Sequence, residues 1–125
     1  MREDFLHFLW RWRRFDASKQ FTSDGQPLEI LHPGEPNLHA GPDFFNARIR
    51  LNETLWAGNV EIHLNASDWL AHRHDTDPAY DNVILHVVFD EDQRLCRSNG
   101  EPLPCFVLRD RIPPQLLEKY FRLEH

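Results

Sequence analysis

Two carboxylates and a histidine in the middle of the chain are spaced so that they could form one chemical site. Glu61 and His63 are two residues apart in an alternating segment, so a strand there would place both side chains on one face. Asp43 stands at the entrance of the preceding alternating segment, and a hairpin between the segments could bring its carboxylate close to that of Glu61. Side chains placed in this way form either a solvated surface or a site, and both interpretations stay open.

A further group of potential metal ligands follows. It adds three histidines and three aspartates to His63: His72, His74, His86, Asp68, Asp75 and Asp77. Imidazole nitrogens and carboxylate oxygens are ligands of zinc and manganese, so this group could also serve a metal hydrolase of another fold. Alternatively, His86 is a hydrogen-bonded histidine of the core, and Asp75 and Asp77 are turn residues.

Structural roles are likewise an alternative for the first three residues. Asp43 could cap the loop before it, because aspartates in turns often accept hydrogen bonds from nearby backbone amides. Glu61 and His63 could pair with Arg48 or Arg50 across the hairpin, since opposite charges on facing strands attract.

Apolar patterns predict the strands that would carry these side chains, and the last of them is a nearly continuous apolar run typical of a buried central strand. There are four main segments of this kind: Leu28–His32, Asp43–Leu51, Leu55–Leu64 and Val83–Phe89. A turn at Asn52 joins the second and third segments, and Gly58 marks a bulge in the third. Ser67 is then the N-cap of a short helix that precedes the last segment.

The two ends of the chain are predicted to be helical. A helix from Glu3 to about Phe15 carries an apolar stripe at three- and four-residue spacing, with Trp10 away from its centre. The stripe consists of Phe5, Phe8, Leu9, Trp12 and Phe15. A last helix begins at the prolines 113 and 114. Before it, a hairpin around Asn99 and Gly100 pairs residues 95–97 with residues 106–108.

Length and composition favour one globular α/β domain. The chain has 125 residues, of which 41% are hydrophobic and 27% charged. It contains no apolar run of the roughly 20 residues that span a bilayer and no signal peptide, so we expect a cytoplasmic protein without a membrane partner. The net charge of -6 opposes broad electrostatic binding to nucleic acid, although basic residues could form a local patch. Cys96 and Cys105 are expected to be reduced thiols.

The last three residues, 123–125, resemble the start of an expression tag. We therefore predict one domain over residues 1–122, which would be the N-terminal part of a longer protein.

Motifs that cover most of the chain resemble the N-terminal part of an uncharacterised bacterial domain-of-unknown-function family. They are Asn37, GPDF, GNVEIH, SDW and HRHDTDPAYDNVILHVV. This resemblance implies a longer protein and no established activity.

A second resemblance is to the PD-(D/E)XK nuclease superfamily. Pro42 and Asp43 stand for PD, and Glu61 to His63 stand for the acidic-x-Lys tripeptide. The predicted order of elements also matches the α-β-β-β-α-β core of those enzymes. The resemblance implies that Asp43 and Glu61 bind Mg²⁺ or Mn²⁺ rather than Zn²⁺, and that Glu3 is the acid of the first helix. His63 replaces the usual lysine and would position or activate water.

The sequence as a whole therefore predicts a single α/β domain with a central mixed sheet, flanking helices and a restriction-endonuclease-like core. Its predicted function is metal-dependent phosphodiester hydrolysis on nucleic acid, with catalytic residues Asp43, Glu61 and His63. The candidate metal ligands and their surrounding shell are Asp43, Glu61, His63, His72, His74 and His86. The alternative is a non-enzymatic binding or structural module with a His/Asp structural metal site.

Overall fold

The computed structural model describes residues 1–124. Its helices and strands follow in this order: α1 (Glu3–Trp12), β1 (Leu28–His32), β2 (Glu35–Pro36), β3 (Phe44–Leu51), β4 (Thr54–Asn65), α2 (Asp68–Ala71), β5 (Val83–Asp90), β6 (Cys105–Val107) and α3 (Pro114–Glu124). Short 3₁₀ helices lie at residues 74–76, 78–80 and 109–111. The four predicted strands are confirmed to within a residue or two, and β2 is an addition inside the predicted loop. No helix in the described part of the chain is long and apolar enough to cross a membrane.

One mixed sheet organises the domain. The strand order is β1-β3-β4-β5-β6, and the two-residue β2 also pairs with β3. β1, β3 and β4 are antiparallel neighbours, whereas β4, β5 and β6 run parallel. The predicted mixed α/β architecture is therefore confirmed.

The apolar core lies between α1 and one face of β4 and β5. Val60, Ile62, Leu85 and Val87 on this face are each 0% exposed. The side chains of α1 that belong to the same cluster are Phe5, Leu6, Leu9 and Trp10. Since buried apolar side chains each contribute about 1.5–3 kcal/mol, this face accounts for much of the driving force for folding.

The orientation of α1 corrects the predicted apolar stripe. Trp10 is fully buried and its Nε1 donates a hydrogen bond to the Pro33 carbonyl at 2.9 Å. Phe8 and Trp12, which were expected in the core, are 38% and 58% exposed. The helix presents Trp10 to the sheet, where its ring is buried and its N–H group has a hydrogen-bond partner.

A β-bulge sits at the beginning of β3. Phe44 pairs with Val60 and Ala47 with Gly58, so two residues of β3 oppose one of β4, and Asn46 adopts a left-handed conformation with φ 58°. The bulge thus lies in β3 opposite the position predicted from Gly58. The glycine is required for another reason: a Cβ there would lie 2.6 Å from the Asn82 carbonyl oxygen.

The predicted C-terminal hairpin is wrong in its pairing. Asn99 and Gly100 do form a turn, but Cys96 bridges Pro102 instead of the 106–108 segment. β6 pairs in parallel with β5, which buries Phe106 completely in the core. Cys96 and Cys105 are free thiols, the first exposed and the second buried.

The final helix begins where the two prolines predicted it. α3 starts at Pro114 and includes Leu123 and Glu124, which belonged to the predicted tag segment. His125 lies outside the described residues.

Candidate functional site

Asp43 and Glu61 are held together where β3 enters the sheet. The Asp43 backbone N–H donates to Glu61 Oε1 at 3.1 Å, and the Ile62 N–H donates to Asp43 Oδ2 at 2.8 Å. The two side chains thereby take over hydrogen bonds that backbone carbonyls would accept in a regular ladder. The structure therefore brings together the two carboxyl groups that the hairpin was expected to join.

The Glu61 carboxyl group is strongly destabilised as an anion. Burial, its hydrogen bond with the Asp43 side chain and the charge of Asp43 together raise the pKa of Glu61 far above its ordinary value. Its side chain is only 5% exposed. Within residues 1–124, the side chains that ion-pair with the two carboxyl groups are all histidines, and none is a lysine or arginine. A divalent cation is the kind of partner that such a pair of carboxylates lacks.

Two side chains of α1, those of Glu3 and His7, lie beside the exposed part of the Asp43–Glu61 pair, hereafter the junction. His7 Nε2 lies 3.6 Å from Asp43 Oδ2 and 3.8 Å from Glu3 Oε1. One ligand atom from each of these three residues lies within 4.8 Å of the others. Burial opposes the charged form of His7, but its contacts with Glu3 and Asp43 outweigh this and raise its pKa.

His7 is the member of this group that sequence reasoning missed. Glu3 and His7 are one helical turn apart, so their shared face was readable from the sequence. Their approach to Asp43 depends on how α1 packs across the sheet, which has no local signal.

Behind the carboxylates lies a cluster of histidines. Glu61 Oε2 is 2.8 Å from His74 Nε2 and 3.3 Å from His63 Nε2. One ring nitrogen from each of His63, His72 and His74 lies within 4.8 Å of the other two. His63 and His74 are buried, whereas His72 is exposed. Glu61 is consequently the link between the exposed junction and this inner cluster.

His86 supports the cluster from the neighbouring strand. Its Nε2 lies 2.8 Å from His63 Nδ1, and both side chains are 1% exposed. Burial lowers the pKa of His63 to about 4 and that of His86 to about 3. Both imidazoles are therefore neutral at pH 7, which is the form that binds metals. The Nδ1 atom of His86 is buried without a hydrogen-bond partner.

Aromatic side chains form the wall around His74. Its ring stacks on Tyr80 with centroids 3.7 Å apart and meets Trp69 edge-on at 5.3 Å. The same three residues line a cavity of about 100 Å³ that extends to Arg97 and Leu103. Trp69 and Tyr80 thus pack against the histidine cluster.

The aspartates of the predicted ligand group have structural contacts. Asp68 Oδ2 accepts a hydrogen bond from the Asn65 N–H, and Asp77 Oδ1 caps the following 3₁₀ helix through the Ala79 N–H. Asp75 is exposed at the mouth of the cavity. Asp77 therefore has the turn role that was its alternative interpretation.

Of two other local expectations, one is wrong and one is met in position only. Arg50 pairs with Glu29 on β1, so the alternative pairing of this arginine with Glu61 or His63 does not occur. Ser67 occupies the N-cap position of α2, but its hydroxyl donates to Asp92 Oδ2 at 2.5 Å instead of accepting from a helix N–H. The charge-assisted hydrogen bond to Asp92 orients the hydroxyl of Ser67 away from the helix N–H groups.

The fold and the site together define a small mixed α/β domain with a buried histidine and carboxylate cluster. The chain belongs to the family described as protein of unknown function (DUF2851), whose model matches residues 3–125. A comparison with curated proteins found no match, and a comparison with solved structures found none either.

Proposed function

We propose that this domain hydrolyses phosphodiester bonds in nucleic acid with the help of a bound Mg²⁺ or Mn²⁺ ion. The observation that carries this proposal is the junction of Asp43 and Glu61. The carboxyl group of Asp43, just before β3, is fixed there against that of Glu61 in β4, and their described ion-pair partners are histidines rather than permanent cations.

The order of the elements supports the same proposal. Leaving out the two-residue β2, the order of α1, β1, β3, β4, α2 and β5 is α-β-β-β-α-β. This is the order of the nuclease superfamily that Asp43 and Glu61 resemble in sequence. The four-residue α2 is a departure, because a longer helix usually makes the crossover between parallel strands.

The donor set fits a hard divalent cation. The junction offers carboxylate oxygens of Asp43, Glu61 and Glu3, which suit Mg²⁺ and Mn²⁺. When bound, such an ion would polarise the phosphodiester and lower the pKa of a coordinated water molecule. Asp43 is partly exposed, so an ion and a phosphate group could reach it from solvent.

The sequence predicted that His63 would position or activate water. In this proposal His63 positions Glu61, and His7 exchanges the proton. His63 is buried, with one ring nitrogen facing His86 and the other facing Glu61. Its function in this proposal is to orient Glu61. His7 has a side chain 34% exposed beside Asp43, so it can exchange a proton with water or with a leaving group at the junction.

A second candidate function is a non-enzymatic module with a structural metal site. The observation that favours it is the burial of Glu61, His63 and His86, which are each at most 4% exposed. Structural metal sites are closed in this way, whereas catalytic sites keep an open position.

Cleavage assays on defined nucleic acids test the proposal. The purified protein is incubated with single- and double-stranded DNA and RNA in MgCl₂, MnCl₂ or EDTA. We expect cleavage with a metal ion and none in EDTA. Because metal catalysis contributes several kcal/mol, Asp43→Asn and Glu61→Gln should each reduce the rate by about 100-fold or more.

The matched control is Glu53→Gln, which makes the same chemical change in the turn at the far end of β4. It should cleave at the wild-type rate, and circular dichroism should show all variants folded. Equal cleavage by every variant would refute the assignment of the centre. Absence of cleavage from a folded, metal-loaded protein on all substrates would refute the phosphodiesterase and favour the structural module.

A further inference from the structure

We propose that His63, His72 and His74, together with Glu61 Oε2, form a second metal site that binds a zinc-class cation. This site is separate from the oxygen-rich junction of Glu3 and Asp43. It shares Glu61 with the proposed phosphodiesterase centre, but it does not depend on that activity.

The distances suit tetrahedral coordination. Zinc–nitrogen bonds of about 2.0–2.1 Å place the ligand atoms of a tetrahedral site roughly 3.3 Å apart. Glu61 Oε2 lies 3.3 Å from His63 Nε2 and 2.8 Å from His74 Nε2. The three imidazole nitrogens are within 4.8 Å of one another, so small side-chain rotations would bring them around one ion.

The backbone is shaped to bring two of these histidines to the third. His72 ends α2, and His74 begins the 3₁₀ helix of residues 74–76. Between them Arg73 adopts a left-handed conformation with φ 58°. Such a conformation costs of order 1 kcal/mol or more in a residue with a side chain. It places the His72 and His74 rings 5.1 Å and 5.3 Å from the His63 ring.

The surroundings of His63 leave its Nε2 atom available to bind a metal ion. If His63 Nδ1 donates its proton to His86 Nε2, which lies 2.8 Å away, then Nε2 of His63 carries a lone pair directed at the cluster. Histidine ligands of metals usually donate their other N–H group in this way, which fixes the ring and its tautomer. His86 is thus a positioning residue behind the ligand.

The two sites differ in the chemistry of their donors. The inner site has three imidazoles and one carboxylate oxygen, a set typical of zinc and related transition metals. The exposed junction is richer in carboxylate oxygens, which Mg²⁺ prefers. Glu61 can serve both sites because Oε1 faces Asp43 and Oε2 faces the histidines.

Titration with Co²⁺ tests the inner site by a readout independent of cleavage. Tetrahedral Co²⁺ gives an intense visible absorption, and Zn²⁺ added afterwards should displace it. We expect the wild-type protein to bind one equivalent with this spectrum. His72→Ala should weaken binding by about 100-fold or more, since even the loss of an outer-shell partner costs 10–100-fold. His72 is exposed, so this variant should remain folded.

Two controls separate this site from the junction. Asp43→Asn should keep the tetrahedral spectrum while abolishing any Mg²⁺-dependent cleavage, and the exposed His39→Ala should change neither. If His72→Ala binds Co²⁺ as the wild type does, or if the wild-type spectrum is octahedral, the inner site is refuted. A failure to cleave nucleic acid with the tetrahedral spectrum intact would refute only the phosphodiesterase.

Discussion

The two faces of the β4–β5 strand pair are equally buried but opposite in chemistry. On the face under α1, Ile62 and Leu85 are 0% exposed and pack in a continuous apolar cluster. On the other face, Glu61, His63 and His86 are 4%, 1% and 1% exposed. Residues that alternate along the same two strands thus meet a hydrocarbon core on one side and an ionisable cluster on the other.

The apolar face therefore stabilises the fold, whereas the ionisable face carries the candidate functional site. Burying apolar side chains stabilises a domain, whereas burying ionisable groups costs free energy unless they are fully paired. Three such groups on one face therefore weaken the metal-free fold. Perturbed ionisable groups that cluster beside an exposed junction are typical of functional sites.

The largest expected effect on stability belongs to the apolar face. Leu85→Ala should lower the free energy of unfolding by about 2–5 kcal/mol, because it removes buried methyl groups and leaves a cavity. Urea denaturation of Leu38→Ala, at a position 89% exposed, provides the matched control and should differ from wild type by less than about 0.5 kcal/mol. Equal losses for both variants would contradict the division into two faces.

The next effect concerns the buried carboxyl group. In EDTA at pH 7, Glu61→Gln should raise the free energy of unfolding by about 1–3 kcal/mol, since the amide is neutral without a proton, whereas the buried carboxyl group must take one up on folding. The pKa of Glu61 is raised in the fold, so its contribution is favourable below its ordinary pKa of 4.5 and is lost as the pH rises. The gap between the variant and wild type should therefore widen from pH 5 to pH 8.

A saturating metal ion should reverse this order. An ion that binds only the folded state adds about 4.1 kcal/mol at 1,000 times its Kd, which exceeds the gap in EDTA, and the variant would lose that gain. Thermal unfolding of both proteins with EDTA and with MnCl₂ measures the reversal. A wild-type protein that is the more stable one in EDTA would contradict the cost assigned to Glu61.

The smallest expected effect is on the free energy of unfolding below pH 7. The pKa of His86 is lowered to about 3, so its neutral ring stabilises the fold above its ordinary pKa of 6.5, and this stability is lost as the pH falls. His86→Leu should remove that part of the slope between pH 7 and pH 5, at most about 1.4 kcal/mol per pH unit. His39→Leu should keep the wild-type slope in urea denaturation with EDTA. Identical slopes for all three proteins would show that His86 is not the titrating group.

Local pattern was enough to predict the strands and the hairpin that pairs β3 with β4, but not the position of the bulge that aligns Asp43 with Glu61. Apolar pattern predicted β1 to the residue and β3, β4 and β5 nearly so, since alternation in β3 and β4 and a nearly continuous apolar run in β5 are visible without tertiary context. The two-residue turn at Asn52 pairs Leu51 with Thr54. The extra residue of the bulge in β3 then shifts the register, which places Asp43 beside Glu61. Glu61 and His63 share one face because side chains alternate along a strand.

Tertiary packing decided what local pattern could not predict. The rotation of α1 that buries Trp10 depends on the neighbouring Pro33 carbonyl, and the approach of His7 to Asp43 depends on the same docking. The parallel pairing of β6 and the left-handed turn at Arg73 likewise have no signal in residue type or spacing.

The central claim is that the junction of Asp43 and Glu61 binds a divalent cation, and Mn²⁺ binding followed by electron paramagnetic resonance tests it most directly. Loss of the free Mn²⁺ signal should show binding to the wild-type protein and to Glu53→Gln. Asp43→Asn and Glu61→Gln should each bind at least about tenfold more weakly, because each removes a ligand charge. Equal binding by all four proteins, or no binding by the wild type, would contradict the claim.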